Sequence, residues 1–349
     1  MNRRELIIAA SAVGAVALAG GGAWWMLRED SDPKGASDRI DLLAGAYSGQ
    51  PYLNDPEFFA ILSISGGMPA RTSFELRLYE LDAEPILGAT DISATIANIV
   101  TGEFSDQVDV VAKEDGSWEL SQKAIESDGW WQLVVNVGEQ TASWTFLMPD
   151  PNLTGFETPP TVEPDPDATA LLQSSLDALS SRVSLRWWEW LSGGNGAIIL
   201  AQFSVTTPES NGLPAAFESD SRLAGLIPVD GAAASFRTEN PRTVSSEDEG
   251  MRSINGGTPE AANPIRYLPI DQYHTTYTGF EGAHFGSTAE IEGRDCQLIA
   301  FYLPGAVPAW FAFWIDIETS FIRELFMLSV NHYMHWVYFD IDDPFVLEI

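Results

Sequence analysis

The sequence predicts a mostly β protein: an N-terminal apolar helix, then a β-sandwich, then a large antiparallel sheet covered by one helix. Three observations predict it. They are an uncharged run over residues 6–27, two territories of short strands with period-2 alternation, and one helical repeat at residues 170–181 behind a proline-rich stretch. At 349 residues the chain is long enough for two domains with their own cores. The expected boundaries are 1–30 for the apolar segment, 31–40 for a polar stem, 41–150 for the sandwich, 151–169 for a Pro/acidic linker and 170–349 for the second domain.

Arg3 and Arg4 precede the uncharged run, and Glu29, Asp30 and Asp32 follow it. A run of about 22 residues matches the roughly 20 that a spanning helix needs. Positive charge before it and acid after it orient the body of the protein outside the cytoplasm. Trp24 and Trp25 at the outer end suit an interfacial belt and favour a retained transmembrane anchor over a cleaved signal peptide. Asn2 to Ile7 loosely matches a twin-arginine signal. Gly21 stands where a lipoprotein box requires cysteine, so lipidation is excluded there.

In the first folded unit, strands are expected at residues 58–65, 73–81, 93–99, 107–112, 117–120, 130–137 and 142–148. Seven or so short strands without helical period argue for a sandwich. Pro159-Pro160 and Glu163 to Asp167 cannot form a core and mark the linker. Asp167 or Thr169 can cap the helix, which repeats Leu171, Leu172, Leu176 and Leu179.

Beyond it, residues 183–191 and 197–206 form a hairpin across a glycine-rich turn. Residues 208–263 carry only weak strand-like pieces at 215–218 and 233–237, and 245–264 reads as an exposed acidic loop. Pattern returns at 289–292 and 297–303, then in a closing meander. There Phe311, Phe313 and Ile315 alternate with Ala312, Trp314 and Asp316, followed by strands over 321–327 and 334–339.

Asp128-Gly129-Trp130-Trp131-Gln132-Leu133-Val134-Val135, then Trp144-Thr145-Phe146, resembles the closing hairpin of YtkA-like domains. Those are extracytoplasmic immunoglobulin-like modules found beside copper-handling proteins. Leu185-Arg186-Trp187-Trp188-Glu189-Trp190-Leu191-Ser192-Gly193-Gly194 resembles the opening of the LolA/LppX-type carrier fold. Trp314 to Thr319, Asn331 to Met334 and Tyr338 to Asp340 resemble its closing strands. The two resemblances in this order are similar to uncharacterised copper-resistance-associated proteins. They imply an immunoglobulin-like sandwich followed by an α+β half-open antiparallel β-barrel with a covering helix. They also imply a non-enzymatic binding protein that holds a lipid or acyl chain in an apolar cavity. Residues 208–264 have no clear counterpart to that family's short strands.

A net charge of −32 with three lysines repels nucleic acid and suits a protein working in high salt. The single Cys296 forms no internal disulfide. No nucleophile elbow, phosphate loop or His-Glu-x-x-His motif is present, and Asp316 with Glu318 sits at a turn where acids are ordinary.

Two site hypotheses remain. The second domain holds more bulky rings than one 12-residue helix covers, so Trp187, Trp188, Trp190, Phe311, Phe313, Trp314 and Trp336 are expected to line an apolar groove for a lipid or acyl chain, with no cofactor. The alternative is copper on His332, Met334 and His335, a set that suits Cu(I). Strand alternation puts His332 and Met334 on one face and His335 on the other, which favours plain packing for these three. Expected partners are the membrane through the N-terminal helix, a lipid ligand and a membrane protein; a third alternative is a ligand-free scaffold docking that membrane protein.

Overall fold

A computed structural model describes residues 37–49, 56–69, 71–121, 125, 127–155, 162–180, 184–193, 198–206, 216–229, 232–245, 279–304, 308–329 and 332–341. The apolar segment 1–30 and the expected loop at 246–264 lie outside these residues. Among the described residues no helix is long and apolar enough to cross a membrane.

The first unit contains β1 (Arg39–Ala46), β2 (Phe58–Ser65), β3 (Ser73–Tyr79), β4 (Ile92–Asn98), β5 (Glu103–Val108), β6 (Val110–Ala112), β7 (Trp118–Leu120), β8 (Gly129–Val137) and β9 (Gln140–Met148). They form two antiparallel sheets, β1-β2-β3-β7-β6 and β5-β4-β8-β9. Alternation explains how the sheets face each other. Phe74, Leu76 and Leu78 of β3 are buried between exposed or half-buried neighbours, and Phe74 meets Phe146 of β9 at 5.5 Å between ring centroids. The Trp144 indole closes the same end by donating to the Leu42 carbonyl at 3.0 Å. β1 begins inside the expected stem, and its almost continuous burial hides the alternation that would have marked it.

Two helices follow, α1 (Pro151–Thr154) and α2 (Pro166–Ser180). α2 starts one turn before the expected residue 170, and its cap is Asp165 rather than Asp167 or Thr169. Asp165 Oδ1 accepts from the amides of Asp167 and Ala168 at 2.8 and 3.2 Å, and proline occupies the first helical position, where its missing N–H costs nothing.

The second unit is one antiparallel sheet of nine strands. These are β10 (Ser184–Gly193), β11 (Ile198–Thr206), β12 (Ala216–Val229), β13 (Ala232–Ser245), β14 (Glu281–Ile291), β15 (Arg294–Leu303), β16 (Ala309–Asp316), β17 (Ile322–Ser329) and β18 (His332–Phe339). Their order is β13-β12-β11-β10-β18-β17-β16-β15-β14. The first and last strands of the unit therefore pair at its centre, while β13 and β14 remain as two edges. β12 and β13 form a 14-residue hairpin where the sequence offered only fragments. Polar runs such as Glu218 to Arg222 and the prolines 228 and 241 mask it. Pro241 is tolerated because β13 is an edge, and Pro228 lies beyond the stretch of β12 that pairs with β11.

The two units share a core. Trp130 of β8 lies 6.5 Å from Phe326 of β17, Tyr47 lies 6.3 Å from Trp188 of β10, and the Leu43 amide on the open edge of β1 donates to Ser192 Oγ at 3.1 Å. The flank made by β1, β8 and β9 thus covers one face of the nine-stranded sheet.

Candidate functional site

Opposed residues in an antiparallel ladder point to the same face, so the register sorts the large sheet into two surfaces. The face toward the sandwich holds Leu298 and Ala300, then Trp310, Ala312 and Trp314, then Phe326 and Leu328, then Tyr333, Val337 and Phe339, with Trp188. All of these join the core shared with the sandwich. The opposite face holds Ile299, Phe301, Phe311, Phe313, Leu325, Met327, Met334, Trp336 and Tyr338.

On that opposite face the rings form an array. Phe301 stacks on Phe311 with centroids 5.0 Å apart and planes at 8°. Phe313 meets Phe301 edge-on at 5.0 Å and Phe311 at 5.9 Å. Phe280 adds a further edge contact to Phe301 at 5.7 Å. Leu325, Met327 and Met334 continue the apolar surface to Trp336 and Tyr338, whose rings stand 6.0 Å apart. From residue 297 to 338, the positions of β15 to β18 on this face carry no Asp, Glu, Lys or Arg.

α2 packs against β14 and β17, and because the sandwich occupies the other face, the helix lies over this array. Its buried stripe is narrow, with Ala168, Leu172 and Ser175 at helical spacing. A helix is about 10 Å wide, whereas nine strands at about 4.8 Å spacing span roughly 38 Å. The array itself spans only β15 to β18, and its residues are buried, with Phe311, Phe313 and Leu325 at 0% exposure.

The expected groove residues are divided by this geometry. Phe311, Phe313 and Trp336 share the array face, while Trp188 and Trp314 point to the sandwich. Trp187 stands opposite Tyr338 and Trp190 opposite His335 in the register, and their side chains lie outside the described residues. Consecutive strand residues cannot line one groove, which is why a run of neighbouring tryptophans is not one surface. Phe301, Leu325 and Met327 were not singled out from the sequence, since only the ladder register reveals that they sit beside Phe311 and Phe313.

Of the three candidate metal ligands, His332 and Met334 share the array face and His335 faces the sandwich. His335 Nε2 lies 2.5 Å from Glu324 Oε1, and its ring packs against Trp188 at 5.3 Å and Phe326 at 4.5 Å. The three therefore do not converge. Burial lowers the pKa of His332 to about 4, which keeps its imidazole neutral. Among the described residues no group of three or more His, Cys, Asp or Glu is placed to hold a metal ion. Cys296 is buried and its thiol is pushed up to about 11 by burial, as expected of an inert core thiol.

A buried polar network joins the units. Asp150 caps α1 by accepting from the Asn152 amide at 2.8 Å. Asn152 Nδ2 donates to the Ser329 carbonyl at 3.0 Å and to the Tyr333 hydroxyl at 2.8 Å. Burial raises the Asp150 carboxyl to about 7, against the partial compensation of the bonds from Asn152 and Tyr333.

No family model and no curated protein matches the chain. Among solved structures it is similar to LprF from Mycobacterium bovis, at 11% identity and a TM-score of 0.31 over 54% of this chain and 98% of that one. It is similar to the lipoprotein LppX from Mycobacterium tuberculosis at 14% identity and a TM-score of 0.29, over 53% and 100% of the two chains. A LolA superfamily protein from Nitrosomonas europaea aligns at 13% identity and a TM-score of 0.20, over 52% and 95%.

Proposed function

We propose that this chain is an extracytoplasmic, membrane-anchored binding protein. It holds an apolar ligand, a lipid or acyl chain, on the array face of its nine-stranded sheet and performs no catalysis. The observation that carries the reading is the Phe301, Phe311 and Phe313 cluster with its extension through Leu325, Met327 and Met334, an apolar interior separate from the core shared with the sandwich. These residues are buried, 0 to 8% exposed, so hydrocarbon enters by parting the cover over them and then meets an apolar lining, with Glu189 of β10 at its margin in the ladder register. The resemblance of residues 185–194 and 314–340 to the LolA/LppX-type fold supports the same ligand class. The sandwich, with its YtkA-like hairpin, acts in this reading as a rigid platform and as the surface offered to a membrane partner. The apolar run over residues 6–27, with arginines before it and acids after it, supports anchoring with the body outside.

Native mass spectrometry of the full chain, purified from its source membrane without added ligand or chelator, tests the proposal. Heterogeneous mass additions that fragment as lipids support it. A single copper mass would transfer the site to His332 and Met334, and bare protein would leave a scaffold.

A further inference from the structure

The Ser37 amide, just before β1, donates to the Asn152 carbonyl of α1 at 2.8 Å. The apolar run of the sequence ends ten residues earlier, at Leu27. Ten residues reach at most about 35 Å, so a run that spans the bilayer tethers the molecule by this pole. Hydrogen bonds gather strand ends of both units around it. The Asp150 amide donates to the Gly67 carbonyl of the β2–β3 turn at 2.9 Å. Asn152 reaches the Ser329 carbonyl at the end of β17, and Ser329 Oγ donates to the Pro308 carbonyl ahead of β16 at 2.7 Å. The registers agree, since Ser65 pairs with Arg39 and Ser73, Leu303 with Ala309, and Ser329 with His332. Leu43 meets Ser192 and Tyr47 meets Trp188, so β1 and β10 lead together from this pole toward the opposite one.

Charge is divided unevenly between the two poles. In a chain of 50 acids and 18 lysines and arginines, residues 65–73, 303–309 and 329–332 carry no Asp or Glu and one cation, Arg71. Asp150 is buried, and Asp38 and Asp128 are exposed acids at the margin. At the opposite pole, residues 80–91, 292–295 and 316–321 carry four, two and two acids, with Arg294 as their one cation. The tethered pole also presents an apolar tip. Met68 is 40% exposed beside Pro69, with Arg71 exposed on the same turn. The turn is held from behind, because Gly67 lies so close to Leu153 that a Cβ there would stand 2.3 Å from the leucine Cβ.

At physiological ionic strength the Debye length is about 8 Å. A net charge of −32 is therefore repelled by an anionic surface chiefly through the carboxylates that come nearest to it. A pole with few carboxylates approaches such a surface at little cost. Its guanidinium matches a phosphate and its apolar tip suits the head-group boundary.

We propose that this pole, tipped by Met68 and Arg71, docks on the head-group region of a lipid bilayer and holds the protein upright, with the acid-rich pole turned away. This rests on the anchored reading above and adds which face of the molecule lies on the membrane.

The test reconstitutes the full chain in vesicles of phosphatidylcholine and phosphatidylglycerol that contain a head-group spin-labelled lipid. A fluorophore is attached at Met68→Cys or, at the opposite pole, at Ile317→Cys. Ile317 is 53% exposed, whereas Cys296 is buried and stays unlabelled. The eight residues of β16 alone separate the poles by about 25 Å. The Met68 label is expected to lose most of its emission to contact quenching, and the Ile317 label almost none. Adding Arg71→Glu weakens the quenching at Met68 without releasing the chain from the vesicles. Equal quenching at both positions, none at Met68, or stronger quenching at Ile317, in a chain that floats with the vesicles, would overturn the docking surface and leave the anchored reading intact. A full chain that does not float with the vesicles would overturn both.

Discussion

The Tyr333 hydroxyl donates to the Asp150 carboxylate, 3.0 Å from Oδ2 and 3.2 Å from Oδ1, so the last strand of the large sheet is bonded to the residue that ends the sandwich. Both groups are buried, and Asn152 braces the pair from the intervening helix. Tyr333→Phe removes the donor and leaves a buried carboxyl with one partner fewer. The expected loss is about 1–3 kcal/mol of unfolding free energy, read from denaturant titration of the full chain.

The same network sets a pH dependence whose sign follows from the direction of each shift. Asp150 is raised to about 7, so its contribution to stability is full below the ordinary carboxylate value, about 4, and is lost as pH rises through about 7. His332 is lowered to about 4, so its contribution is present above the ordinary imidazole value, about 6.5, and is lost as pH falls through about 4. The two slopes oppose each other across that window. Asp150→Asn is expected to leave a stability that climbs with pH from about 4 to 6.5, and His332→Gln one that declines from about 4 to 7. Thermal melts at a series of pH values on both variants check the opposition.

The shared core predicts that the two units unfold together. Phe326 contacts Trp130 across the boundary and is 1% exposed, so Phe326→Ala is expected to cost about 3–5 kcal/mol. Fluorescence and far-ultraviolet dichroism should then follow one coincident transition, shifted to lower denaturant. Two separate transitions in the wild type would show that the boundary is no more than a contact between independent domains.

Much of this fold is legible in the chain because its strands obey simple alternation. Phe311, Phe313 and Ile315 against Ala312, Trp314 and Asp316 locate β16 and its two faces, and the same rule separates His332 and Met334 from His335. β12 and β13 escape because Glu218 to Arg222 and the prolines carry no apolar period, and their pairing appears only in the long hairpin ladder. The site is only half legible. Trp188 and Phe311 look alike as aromatic residues of a sheet, yet one meets Tyr47 of the sandwich and the other Phe301. That distinction depends on a contact between units far apart in sequence, which no local pattern encodes.

The central claim is that hydrocarbon occupies the array face and no other. The most direct measurement is photo-crosslinking of the full chain with a long-chain acyl ester bearing a mid-chain diazirine, followed by mapping of the modified residues. The account predicts labels on Phe301, Phe311, Met327 and Met334, competed away by unlabelled ester. Labels confined to residues 1–30 or scattered over the sandwich, with the array residues unmodified, would contradict it.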